Sequence, residues 1–290
     1  MNWHDAVLLG LLEGLTEFLP VSSTGHLILL GDYLGANTEA GKTLDVVMQL
    51  GAVLAVIVYF RARLAKLLRG LVAREPEQIA LAKAVMIAFV PAAIFGLLFH
   101  KKIEEKLFAP APVAAALIVG GVLMIGIEIW RKRSVNQGED GLQAVTPKRA
   151  LGIGFAQCLS LWPGTSRSMT TIVGAQLGGV STAAAADFSF LLAIPTLGAA
   201  TVYKLFKGGR ALLAMPGGAS SLVISMVVSF AVALVVIAAF LRYLKRFGLL
   251  PFGVYRIVLG VIVLATLGGT MAPVKAAGAA EAPASSAAAP

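Results

Sequence analysis

The sequence predicts an all-α integral membrane protein: six transmembrane helices plus two re-entrant helix–loop–helix hairpins, built as an inverted-topology repeat. Three observations lead there. The 290 residues are 58% hydrophobic and only 13% charged, with a mean hydropathy of +0.85, whereas soluble domains are about half apolar and about a quarter charged. Six runs are long and apolar enough for a hydrocarbon core about 30 Å thick. Two further apolar regions are broken by proline and filled with polar residues, and they resemble each other.

The six predicted spans are Leu44–Phe60, Ile79–Phe99, Pro112–Trp130, Ala186–Tyr203, Leu222–Leu241 and Phe252–Gly268. The broken regions run from Trp3 through Pro20 to Leu34 and from Ala150 through Pro163 to Gly178. Proline ends or kinks a helix and disfavours helix in the residue before it. Each side of a break is then a helix of roughly 20–25 Å, too short to span comfortably at 1.5 Å per residue.

A shift of 143 positions puts Pro20 on Pro163, Ser22 on Thr165, Ser23 on Ser166, Gly31 on Gly174, Leu34 on Leu177 and Gly35 on Gly178. One residue of slippage brings Asp45 opposite Asp187. Each half reads as a hairpin followed by three spans, and an odd number of spans inverts the second half. Such repeats hold broken helices and their ligand near the bilayer midplane. The predicted organisation is a first repeat (1–130, hairpin 3–34), a cytoplasmic loop (131–149), a second repeat (150–270, hairpin 150–178) and a disordered tail (271–290) of low complexity.

Charge and cysteine usage narrow the class. The excess of Lys+Arg over Asp+Glu, 24 against 15, sits in short clusters between apolar runs. There it sets topology or touches lipid headgroups, so nucleic acid is not an expected partner. The loops after spans one, three and five hold 13 basic residues and the opposite side 8, which predicts both termini outside. A single cysteine, Cys158, excludes an internal disulfide, and nothing suggests zinc. The N-terminus lacks a basic region and cleavage site, so no removable signal peptide is expected.

The chemistry lies at the breaks. Glu13 and Glu17 are one helical turn apart. A charge at the bilayer centre costs roughly 2.5–3.5 kcal/mol on the lenient insertion scale, and two adjacent carboxylates repel unless they share a proton or cation. Mg²⁺ or Ca²⁺ suits such oxygen ligands; the alternatives are acids facing water at a helix end or paired with an arginine. "PVSSTGH" follows, in which one hydroxyl would suffice as a cap, yet Ser22, Ser23 and Thr24 are all present. His26, three residues past Ser23, makes a weak Ser–His pair; a packed, hydrogen-bonded histidine is the other reading. "PGTSRSMTT" supplies a hydroxyl-rich helix start that suits phosphate, and Arg167 a forked donor for its oxygens. Arg167 could instead neutralise Glu13 or Glu17, which also requires the hairpins to meet. Together these residues suit phosphoryl chemistry on a substrate with a lipid tail.

"EGLTEFLPVSSTGH" (Glu13–His26) and "PGTSRSMTT" (Pro163–Thr171) closely resemble the two signature motifs of the undecaprenyl-pyrophosphate phosphatases, the bacitracin-resistance family, and the likeness extends from about Asn2 to Thr270. It implies a multi-pass enzyme of the bacterial inner membrane, with its site open to the periplasm. Such an enzyme hydrolyses undecaprenyl diphosphate to the monophosphate, recycles the cell-wall lipid carrier and removes bacitracin's target. It implies dependence on Mg²⁺ or Ca²⁺; Glu13 and Glu17 are expected to hold the metal or to position water. It also implies catalytic roles for Glu17, Ser23, His26 and Arg167; Ser23 is the preferred nucleophile, with His26 moving its proton, and attack by His26 or by water stays open. Substrate contacts are expected from Ser22, Thr24, Ser166, Ser168, Thr171 and Arg256, the last of which could equally reach the headgroups. Expected partners are the polyprenyl diphosphate and membrane lipids, with a homodimer left open. The competing reading is a transporter or flippase for a polyprenyl phosphate lipid, since paired broken helices are a transporter architecture.

Overall fold

The computed structural model describes residues 2–33, 39–133, 138–214 and 216–267. The predicted tail lies outside them, as do Leu34 and Gly35 of the repeat alignment. The described residues form eleven α-helices and two short 3₁₀ turns. The first hairpin is α1 (Trp3–Thr16) and α2 (Ser23–Tyr33); then come α3 (Glu39–Tyr59), α4 (Arg61–Val72), α5 (Pro76–Leu107) and α6 (Pro110–Arg133). The second hairpin is α7 (Pro147–Cys158) and α8 (Arg167–Leu177), followed by α9 (Thr182–Ala214), α10 (Gly218–Phe247) and α11 (Leu250–Leu267).

Each of the six predicted spans is helical over nearly all of its described residues. Among the described residues α5, α6, α9 and α10 are each long and apolar enough to cross a membrane; α3 joins them if counted with α4, and α11 is a shorter apolar helix. Both α5 and α9 outrun their predicted spans and pass through Pro91 and Pro195 without ending. Large apolar side chains cover the outside: Leu11 and Leu15 on α1, Leu151 and Phe155 on α7, Val227 and Val235 on α10. Such a surface requires lipid rather than water around it.

The segment after α3 departs from expectation. Its basic composition predicts a loop, but residues 61–72 form α4, bent 74° from α3. Arg63 on α4 binds Asp187 on α9 at 2.7 Å, which commits Asp187 to an ion pair. Glu128 is buried beside the α10–α11 turn, with Lys132 3.7 Å away.

The order of elements repeats: α1–α2–α3/α4–α5–α6 is matched by α7–α8–α9–α10–α11, with the bent α3/α4 pair standing where α9 is continuous. Packing is reciprocal: α1 lies on α10 as α7 lies on α5, while α3 meets α9 and α6 meets α11. Glycines permit these approaches. A Cβ on Gly10 would stand 2.6 Å from the Ser225 carbonyl oxygen of α10, and one on Gly154 2.8 Å from the Ala88 carbonyl oxygen of α5.

The register between the hairpins is corrected by one residue. α2 starts at Ser23 and α8 at Arg167, a shift of 144 rather than 143. Ser22 and Ser166 are therefore the counterparts, and each holds φ 73°, a left-handed conformation rare for serine. Their hydroxyls accept from Gly25 N and Met169 N, each at 3.3 Å, capping α2 and α8. The second loop simply carries one more residue between its proline and its cap.

Candidate active site

The two half-helix starts converge on one carboxylate. Glu17 is the C-cap residue of α1. Its Oε1 accepts from Arg167 Nη2 at 3.0 Å, and its Oε2 accepts a short hydrogen bond from Ser23 Oγ. Ser23 is the first residue of α2 and Arg167 the first of α8, so equivalent positions of the two hairpins grip the same group. All three side chains are buried. A buried pair in such surroundings repays its desolvation only when its remaining lone pairs and protons are also satisfied.

Arg167 is embedded further. Nη1 donates to the Ser189 carbonyl at 3.3 Å, and the guanidinium carbon lies 5.5 Å from the centre of the Phe18 ring. Thr171 Oγ1 and Ser189 Oγ are 2.6 Å apart. Ser168 Oγ donates to the Leu19 carbonyl at 3.0 Å and lies 3.0 Å from Ser166 Oγ, tying the second hairpin to the loop of the first. Thr24 is half-buried on α2.

Glu13 sits one turn before Glu17, fully buried, with neither carboxylate oxygen hydrogen-bonded. Arg167 Nε is likewise buried and unpartnered. Buried polar atoms almost always find partners, so an acceptor-rich carboxylate and a guanidinium N–H left open together point to groups brought by a ligand. Asp45 on α3 belongs to the same electrostatic neighbourhood as Glu13, Glu17 and Arg167.

Two expectations are corrected here. Ser23 and His26 do not pair: the serine proton is directed at Glu17, while His26 Nδ1 lies 2.7 Å from the Ser22 carbonyl and Nε2 2.7 Å from the Tyr255 hydroxyl. The positive φ of Ser22 turns the chain so that the hydroxyl of Ser23 faces back toward α1. Arg256 does not snorkel to the headgroups, and its Nε, like that of Arg167, is buried without a partner. It is fully buried, and its Nη atoms donate to the carbonyls of Pro20 (3.2 Å), Gly164 (2.8 Å) and Ala116 (3.1 Å). It thus ties both chain breaks to α6.

The expected cation finds only a partial ligand set. Among the described residues no three His, Cys, Asp or Glu side chains form a metal-binding group, and Glu17 already accepts two hydrogen bonds. Glu13, with open oxygens, fits as a ligand, and one or two carboxylates plus substrate phosphate is how Mg²⁺ is usually held. The reading of the sequence missed Ser189, Tyr255 and Phe18. Ser189 and Tyr255 meet partners that lie far away in the chain, and no local pattern marks them.

Residues 6–262 match the family described as Bacitracin resistance protein BacA. The chain belongs to that family. Its similarity extends to curated members over nearly the whole length. The undecaprenyl-diphosphatase of Sorangium cellulosum (strain So ce56) is 69% identical over 264 residues, covering 91% of this chain and 86% of that protein. That of Bordetella avium (strain 197N) is 41% identical over 272 residues, covering 90% and 96%. That of Thermoanaerobacter sp. (strain X514) is 45% identical over 262 residues, covering 89% and 94%. Within this BacA-family chain, both motifs, Glu13–His26 and Pro163–Thr171, fall inside the matched range.

Proposed function

We propose that the chain is a membrane-embedded phosphatase that hydrolyses undecaprenyl diphosphate to undecaprenyl monophosphate and phosphate. Family membership and the name shared by its relatives support the reaction. One observation carries the site: Ser23 and Arg167, the first residues of two separate half-helices, meet on Glu17 beside the open carboxylate of Glu13.

Arg167 binds the diphosphate through its unpartnered Nε and neutralises charge that grows on the transferring phosphoryl group. Ser23 attacks the terminal phosphorus as Glu17, its hydrogen-bond acceptor, takes the hydroxyl proton. The bond to the bridging oxygen breaks and the lipid monophosphate leaves. Water then hydrolyses the phosphoserine, giving phosphate and the free serine. A divalent cation, Mg²⁺ or Ca²⁺, would be held by Glu13, beside Glu17, and would supply charge neutralisation at the phosphate oxygens. Thr171 and Ser189 hold the arginine in place, and Ser22 and Ser166 set the two helix starts.

The helices are arranged as six spans with two re-entrant hairpins in an inverted repeat, both termini on the periplasmic side of the bacterial inner membrane. The repeated element order and the reciprocal packing of α1 on α10 and α7 on α5 support this layout. Purified protein in detergent, given a polyprenyl diphosphate and Mg²⁺, is expected to release phosphate. Release should stop with EDTA and in Glu17→Ala and Arg167→Ala. Wild-type protein that binds or transports the lipid without releasing phosphate would refute hydrolysis.

A further inference from the structure

His26 is held at both ring nitrogens. The Ser22 carbonyl can only accept, so Nδ1, 2.7 Å away, carries the hydrogen. In the neutral ring Nε2 is then the acceptor, and the Tyr255 hydroxyl, also at 2.7 Å, donates to it. The two rings lie parallel within 5°, their centres 5.8 Å apart. A chain of hydrogen bonds therefore runs from Tyr255 through His26 to the carbonyl of Ser22, the residue with φ 73° that precedes Ser23.

The same carbonyl also accepts from the backbone N of His26 at 3.3 Å, so this one residue closes the first turn of α2 twice. The second hairpin does it differently. The Ser166 carbonyl accepts from the backbone N of Thr170 at 3.1 Å, and the Thr170 hydroxyl goes to the Arg167 carbonyl instead. The imidazole brace is confined to the hairpin that carries the serine. Its outer end lies on α11 beside Arg256, which holds the Pro20 carbonyl at the other end of the same loop. Adjacent residues of α11 thus secure the loop on both sides of Val21.

We propose that Tyr255 is a positioning residue for the hydrolysis. By donating to Nε2 it keeps His26 in the Nδ1–H tautomer, which pins the Ser22 carbonyl and with it the direction of Ser23 Oγ toward Glu17. Metal-bound histidines use an outer partner in the same way to fix tautomer and orientation. The proposal rests on the hydrolytic reading for its kinetic consequence, though not for its tautomer.

The test uses the full-length protein in detergent, with its three histidines labelled with ¹⁵N and the His26 signals assigned by their loss in His26→Gln. Wild type should show His26 as the Nδ1–H tautomer. Tyr255→Phe removes only a hydroxyl from a partly exposed side chain. It should shift His26 toward the Nε2–H form and lower kcat for phosphate release about tenfold, as misaimed reacting groups do, with KM within about twofold. An unchanged tautomer, or a changed tautomer with wild-type kcat, would overturn the proposal. Absence of phosphate release from wild type would instead refute hydrolysis, while the ¹⁵N signals would still report on the brace.

Discussion

The two hairpins share one scaffold and divide the chemistry between them. In the register set by their helix starts, Gly10 corresponds to Gly154, Glu13 to Gln157, Glu17 to Leu161, Ser22 to Ser166 and Ser23 to Arg167. The glycines and cap serines do the same work in both, allowing close helix contact and starting the second half-helix. The chemical positions differ. Gln157 is fully buried and satisfied, its Oε1 accepting from Thr196 at 3.3 Å and its Nε2 donating to the Ala88 carbonyl at 3.5 Å. Glu13, in the same place, is buried with both oxygens open. Symmetry therefore builds the site, and its breaking supplies acids on one side and a guanidinium on the other.

That division can be broken most severely at the shared ion pair. Arg167→Ala should abolish phosphate release and lower stability by about 3–5 kcal/mol, because it leaves a buried carboxylate uncompensated. The double replacement Glu17→Leu with Arg167→Met should regain most of that stability in thermal unfolding and none of the activity. An active double variant would make the pair merely structural.

Ser23→Ala comes next, with an expected loss of at least about 100-fold in kcat if the serine is the nucleophile and little change in unfolding temperature. Full activity would reject the nucleophile and leave the reaction class standing.

Glu13→Gln puts into the first hairpin the residue its counterpart already carries. The scaffold should accept the amide, with unfolding shifted by no more than about 1 kcal/mol, while activity falls and its dependence on Mg²⁺ weakens. Wild-type Mg²⁺ dependence in this variant would remove Glu13 from the cation site.

The glycine contacts should give matched effects. Gly10→Ala and Gly154→Ala each force two helix backbones apart and should each cost about 1–3 kcal/mol in unfolding. A large cost in one and none in the other would break the equivalence of α1 with α7. The smallest effects belong to Ser22→Gly and Ser166→Gly. Relief of the positive φ, about 1 kcal/mol, offsets a lost cap worth a few tenths.

The six apolar runs and both breaks were legible because length and proline act locally, and the acids and arginine stood out because charge is costly in lipid. The meeting of Glu17 with Arg167 followed from two matched motifs, since broken helices in inverted repeats face each other. The missing parts were tertiary. Proline marked the loops, yet the serine caps set the register, so a one-residue difference in where the proline stands hid Ser23 opposite Arg167. α4 was concealed by its basic residues, which read as a loop although they alternate with leucines at helical spacing. Tyr255 bonds to His26 across 229 positions, and Arg63 pairs with Asp187 across 124. Neither separation leaves a local signal.

The meeting of the two hairpins on one headgroup is tested most directly by a double-mutant cycle on kcat/KM for polyprenyl diphosphate, using Glu17→Gln, Arg167→Gln and both together. Residues serving one phosphoryl group should couple by at least about 1.4 kcal/mol, with the double variant scarcely worse than the poorer single one. Two losses that simply multiply would show the acid and the guanidinium acting apart.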